Sequence, residues 1–296
     1  MDTTFIRGVI PAMISPMTAD EELDEKGFQR IIDGLVEAGV HGIFTVGTAG
    51  EFWALTTEEK KRVYEWTVQM TAKRLPVYVG TCANSTREAV QLSELAQEAG
   101  ADCLSVLTPS YITPSQDQLF EHFSAVAKSV DIPILLYNLP ARTGNTISVD
   151  LVVRLAEAFE NIVGIKDSSG NFSNAMAMLD STPEGFCFVM GNDAMILPAL
   201  MQGAVAAIAA TANVAPEIAA GIYENFLKGD IEKAKDFQRR LTPLRHGFTL
   251  GTHPAMLKAG AEMAGFAGGP PRAPVSRLSE SERQTLAEML KSIGKI

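Results

Sequence analysis

The sequence predicts a (β/α)8 barrel with a C-terminal helical extension. Short apolar, β-branched runs alternate with longer segments of helical periodicity, which reads as buried parallel strands covered by helices. The alternation occurs eight times, the number that closes a barrel. An open dinucleotide-binding sheet would want a glycine-rich turn after its first strand. Ser15-Pro16-Met17-Thr18 stands there instead.

The strand-like runs are 9–14, 42–46, 77–81, 103–108, 134–137, 163–165, 186–190 and 206–210. Helical segments follow each in turn, at about 25–38, 57–73, 86–99, 116–129, 149–159, 173–180, 194–202 and 216–228. Thr56-Thr57-Glu58-Glu59 has capping-box spacing, and Ser85, Ser115 and Ser148 are N-cap candidates. Gly39, Gly100 and Gly203 are placed to close helices before the next strand. Beyond the eighth unit, 230–247 and 253–264 read as helices. Gly265 to Gly269 and two prolines then break the chain, and a last amphipathic helix runs over about 279–293. The expected division is a catalytic barrel over 1–228 and an extension over 229–296.

The composition is 46% hydrophobic and 20% charged, that of a globular chain with a large core. The net charge of −10 argues against nucleic acid or an anionic membrane as partner. No segment is apolar and long enough to span a bilayer, and the first residues do not read as a signal peptide. Cys82, Cys103 and Cys187 are odd in number and show no CxxC spacing. They read as reduced and buried, which points to the cytoplasm.

Lys166 is the most informative residue. It lies in the otherwise apolar run Ile162-Val163-Gly164-Ile165-Lys166. An ammonium is costly to bury, and the neutral amine that burial favours attacks carbonyls to form a Schiff base. Barrel active sites lie at the C-terminal ends of the strands. There the sequence converges Lys166, Tyr137, Tyr111, Arg142 and the small-residue turn Gly47-Thr48-Ala49-Gly50-Glu51. A tyrosine hydroxyl can shuttle protons during imine formation. The turn can offer backbone amides to one carboxylate, and an arginine can take another.

Other polar residues have structural readings. Glu51 suits capping of backbone amides, Thr48 suits an N-cap, and Asp167 and Asp193 suit turns. His41, His122, His246 and His253 do not cluster near the strand ends and read as structural. No spacing suggests a metal site or an organic cofactor.

Gly47-Thr48-Ala49-Gly50-Glu51, Tyr137-Asn138-Leu139-Pro140 and Gly164-Ile165-Lys166, in that order, resemble the dihydrodipicolinate synthase and N-acetylneuraminate lyase family. These are Schiff-base, pyruvate-dependent lyases. The resemblance covers essentially the whole chain. It implies Lys166 as the Schiff-base lysine and Tyr137 as the proton shuttle. Thr48 would link Tyr137 to a second tyrosine, Tyr111, that reaches a neighbouring subunit. Arg142 would hold the carboxylate of aspartate semialdehyde, with Ala49, Gly191 and Ile208 lining the pocket. It further implies a homo-oligomer, a dimer of dimers, that uses pyruvate or a 2-oxo acid with an aldehyde.

Arg142 and Thr108-Pro109-Ser110-Tyr111 lean towards the synthase. Ala49, where the synthase usually has a second threonine, Phe52-Trp53 and Asp167-Ser168-Ser169-Gly170 lean towards 2-keto-3-deoxy sugar-acid aldolases and dehydratases or an N-acetylneuraminate-lyase-type aldolase. Of the synthase's allosteric lysine site only Asn84 and Glu88 match, so feedback inhibition by lysine is not expected.

Overall fold

A computed structural model describes all residues 1–296. Eight parallel strands follow one another: β1 (Gly8–Pro11), β2 (Ile43–Thr45), β3 (Val77–Gly80), β4 (Cys103–Leu107), β5 (Ile134–Asn138), β6 (Ile162–Asp167), β7 (Cys187–Met190) and β8 (Ala206–Ala209). Each pairs with its sequence neighbours and β8 returns to β1. The ring closes between β1 and β2 through a parallel bridge from Ala12 to Phe44. Every strand residue is buried. This is why the strands read as unbroken apolar runs rather than alternating ones.

The covering helices are α1 (Glu25–Glu37), α2 (Thr57–Thr71), α3 (Thr86–Glu98), α4 (Gln116–Ser129), α6 (Val149–Ala158), α7 (Phe172–Ser181), α8 (Ile196–Met201) and α9 (Pro216–Leu227). Between β5 and α6 lies a one-turn helix, α5 (Pro140–Thr143), which periodicity did not predict because one turn has none. The expected helix over 194–202 is divided: a 3-10 turn spans Asp193–Met195 before α8. Thr56 and Glu59 form the capping box, and the hydroxyls of Ser85, Ser115 and Ser148 each accept an amide at the next helix start. Gly39, Gly100 and Gly203 take positive φ at helix ends.

The pairing of β5 with β6 slips by one residue. Ile134 faces Ile162, but Leu135 faces Gly164, so Tyr137 comes opposite Lys166. Without the slip Tyr137 would face Ile165. Successive residues point to opposite faces, so Lys166 would then be turned away from Tyr137. Gly164 sits where any Cβ would meet the Cys187 carbonyl oxygen at 2.3 Å.

Three helices follow the barrel: α10 (Ile231–His246), α11 (Ala255–Met263) and α12 (Glu280–Ser292). Their buried residues, among them Leu241, Leu244, Met256, Leu286 and Leu290, belong to the same continuous core as the strands. Gln238 of α10 accepts from the Leu197 amide and donates to the Asp193 carbonyl, at 3.0 and 2.9 Å. These bonds hold α10 over the loop that follows β7. No helix is long and apolar enough to cross a membrane.

Candidate active site

A cavity of about 500 Å³ opens at the C-terminal ends of the strands. Thr48 and Ala49 line it beyond β2, Tyr137 and Arg142 on β5 and α5, Lys166 on β6, Gly191 beyond β7 and Ile208 on β8. Seven of the eight residues singled out in the sequence therefore meet in one place. At Gly191 a Cβ would meet the Ser168 hydroxyl at 2.0 Å and, less avoidably, the Asp167 carbonyl oxygen at 2.9 Å.

Three lysines are buried: Lys60, Lys166 and Lys258. Lys60 pairs with Glu88 at 3.5 Å, and Lys258 pairs with Glu51. Lys166, only 3% exposed, has no carboxylate partner. Its Nζ lies 3.8 Å from the centroid of the Tyr137 ring and 4.4 Å from that of Phe44. A buried amine without a counter-ion costs stability, so its retention points to chemistry. The Tyr137 hydroxyl is 3.3 Å from the Thr48 hydroxyl.

The turn after β2 is bracketed by two non-glycine residues in left-handed backbone, Val46 at φ 52° and Glu51 at φ 58°. For a β-branched valine this is a strained state, held only when its surroundings over-determine it. Those surroundings are visible. The Ser15 hydroxyl donates to the Gly50 carbonyl at 2.8 Å, and Glu51 is locked between Lys258 and the Arg272 amide. Between the brackets, the amides of Thr48, Ala49 and Gly50 make no hydrogen bond to protein. Free amides clustered in a turn suit an anion such as a carboxylate. Thr48 is not an N-cap; Thr56 caps α2.

Asp167 and Asp193 serve turns. Asp167 accepts from Asn138, from the Ser169 hydroxyl and from the Ser169 amide, while Asp193 accepts from the amides of Ala210 and Thr211. Burial raises both carboxyls above the ordinary range, and these hydrogen bonds oppose it.

Tyr111 is the exception among the expected residues. It is 99% exposed, with φ 74°, on the loop between β4 and α4, and does not line its own chain's cavity. His253 corrects the sequence reading in the other direction. Sequence placed it among structural histidines, yet it lines the cavity with Arg245 and Phe248. Burial lowers its imidazole pKa to about 4, helped by the charges of Arg142, Arg245 and Lys166. No sequence signal marks these three residues, because they reach the mouth only when α10 folds across it.

The three cysteines are free and buried. No cluster of three or more His, Cys, Asp or Glu side chains is placed to hold a metal ion. The arrangement combines an unpaired buried amine, a hydroxyl relay beside it, free amides and an arginine, which suits imine chemistry on an oxo acid.

The Dihydrodipicolinate synthetase family model matches residues 5–293. The 4-hydroxy-tetrahydrodipicolinate synthase of Methanopyrus kandleri is 40% identical over 290 residues, 98% of this chain and 97% of the relative. Among solved structures, dihydrodipicolinate synthase from Aquifex aeolicus superposes with a TM-score of 0.93 at 36% identity, covering 97% of each chain. YagE, an E. coli K12 prophage protein of the dihydrodipicolinic acid synthase family, solved with pyruvate, gives a TM-score of 0.95 at 32% identity. That match covers 98% of this chain and 99% of the other. With barrel, cavity and near full-length relatives in agreement, the chain belongs to the dihydrodipicolinate synthetase family.

Proposed function

We propose that this chain is a 4-hydroxy-tetrahydrodipicolinate synthase that condenses pyruvate with aspartate semialdehyde through a Schiff base on Lys166. The observation that carries the reading is the burial of Lys166 without a carboxylate partner, its amine against the Tyr137 ring. The Lys166 amine adds to the C2 ketone of pyruvate, and water leaves with a proton supplied by Tyr137. The protonated imine draws electrons from C3, which returns a proton to the Tyr137 oxygen and becomes an enamine. The enamine carbon attacks the aldehyde, whose carboxylate rests on Arg142. The amino group of the condensed product then attacks C2, closing the ring and releasing Lys166. Thr48 relays protons to Tyr137, and the amides around Ala49 receive the pyruvate carboxylate. Gly191 and Ile208 form the cavity wall.

Tyr111 completes the relay in a neighbouring subunit of a homo-oligomer, a dimer of dimers. Its full exposure in the single chain supports that role. The expected site of action is the cytoplasm. A second reading, a 2-keto-3-deoxy sugar-acid aldolase or dehydratase, is supported by Ala49 in the turn and by Ser168 and Asn192 at the cavity wall, which could meet sugar hydroxyls.

Borohydride reduction in the presence of pyruvate tests the chemistry. One pyruvate adduct per chain, mapped to Lys166, is expected; none, or one elsewhere, refutes the Schiff base. Turnover of aspartate semialdehyde against a panel of keto-deoxy sugar acids then separates the two substrates.

A further inference from the structure

Arg142 is not the only arginine at the cavity. Arg245, in the last turn of α10, also lines it, half-buried. Its guanidinium is held from two sides: the carbon centre lies 4.7 Å from the Phe248 ring centroid, and Nε donates to the Asn192 side-chain oxygen at 3.4 Å. The two terminal nitrogens have no protein partner, and Arg245 takes part in no ion pair. A fork fixed at its base with both tips free is prepared for a planar anion.

The topology places the two arginines on either side of the reacting lysine. In the ring the order is β7, β6, β5. Lys166 belongs to β6, Arg142 follows β5, and Arg245 is bonded to Asn192, which follows β7. The one carboxylate lining the cavity is that of Asp193, whose oxygens are occupied by the Ala210 and Thr211 amides. The turn amides around Ala49 can receive one carboxylate, so two arginines stand over the remaining space. The neutral state of His253 fits a cavity with surplus positive charge.

We propose that Arg245 is a specificity-determining residue for the aldehyde, holding its carboxylate jointly with Arg142. The proposal deepens the reading of the site as a pyruvate-dependent condensing enzyme and rests on it. It defines the substrate class: the aldehyde must carry an acid group, and a neutral aldehyde of the same size is rejected.

Steady-state kinetics of Arg245→Met with pyruvate and aspartate semialdehyde test it. Loss of a charge-assisted hydrogen bond raises the aldehyde KM about tenfold to a hundredfold. The pyruvate KM and the Lys166 adduct stay unchanged. Arg245→Lys, which keeps the charge without the fork, recovers part of the loss. An unchanged aldehyde KM, or an equal rise for both substrates, overturns the proposal. Calorimetric titration of malonate into the borohydride-reduced pyruvyl protein reads the anchor without any aldehyde. Binding about tenfold weaker in Arg245→Met is expected, and equal binding overturns it. If the wild type forms no adduct, the proposed activity falls, and malonate titrated into untreated protein still decides for or against Arg245.

Discussion

Glu51 and Lys258 pair their charges with side chains 0% and 1% exposed, joining the turn after β2 to α11. Lys258 also donates to the Pro270 carbonyl at 2.7 Å, and the second Glu51 oxygen accepts the Arg272 amide at 2.8 Å. The strained turn beside Thr48 is thus anchored by the helices that follow the barrel. Removing one partner strands a buried charge, so Glu51→Gln or Lys258→Met alone should cost about 3–5 kcal/mol. The double variant Glu51→Leu with Lys258→Met should recover most of that. Urea unfolding of the four proteins checks it; a double variant as weak as the singles would refute the pairing.

Lys166 differs because no carboxylate faces its amine, which rests only against the Tyr137 and Phe44 rings. Lys166→Met should fold at least as stably as the wild type, since an unpaired buried polar group is removed. Pyruvate trapping and turnover should fall to background. Thermal unfolding and intact mass after borohydride treatment measure the two effects. A large loss of stability would mean that the lysine is structural.

Tyr137→Phe keeps the ring that packs against Lys166 and removes only the hydroxyl. A proton shuttle contributes about 10²–10⁴ in rate, so kcat should fall by that range with the adduct still forming slowly. Thr48→Val should fall less, since it removes the relay at one step's distance. Equal kcat values in Tyr137→Phe and wild type would exclude the shuttle.

His122 sets an acid limit on stability. It is buried, with Thr86 3.0 Å from Nδ1 and no partner for Nε2, and burial lowers its pKa from 6.5 to about 4. The unfolded chain therefore takes up the proton first as pH falls. Stability is full above about pH 6.5 and is lost progressively towards pH 4. Between pH 7 and pH 5 the loss from this residue is about 2 kcal/mol. The raised carboxyls of Asp167 and Asp193 act with the opposite sign, so the comparison is made with His122→Asn. That variant should lose less on acidification in urea titrations at the two pH values.

Free lysine at millimolar concentration should not inhibit turnover. Glu88 is paired with Lys60 at 3.5 Å, and the Asn84 side-chain oxygen is taken by the Ser110 amide and hydroxyl. Half-inhibition below about 1 mM in an activity assay would contradict this.

The barrel was legible because each strand is buried on both faces and each helix has a marked start, as at Thr56, Ser85, Ser115 and Ser148. Lys166 was legible because an amine in an apolar run has few structural uses. The slip that brings Lys166 opposite Tyr137 was not, since Val163 looks like any other strand residue. Nor was the outer wall: Arg245 sits in the last turn of α10, Phe248 and His253 in the turns just after it, and only the packing of α10 on the barrel delivers them. Tyr111 was legible as a candidate, but in the single chain it stands exposed and away from the cavity.

That outer wall has a consequence for synthesis. A ribosome completes the eighth strand, with Lys166 and Tyr137 already made, before it reaches Arg245. At about 5–20 residues per second, the interval from Lys166 to His253 lasts on the order of 4–17 s. A chain caught in that interval has its amine but neither the far rim of the cavity nor the Lys258 that fixes the turn at Glu51. The site is finished only once the chain past Lys258 has been made, and a chain cut short before that residue has a barrel without an anchored turn or a far rim.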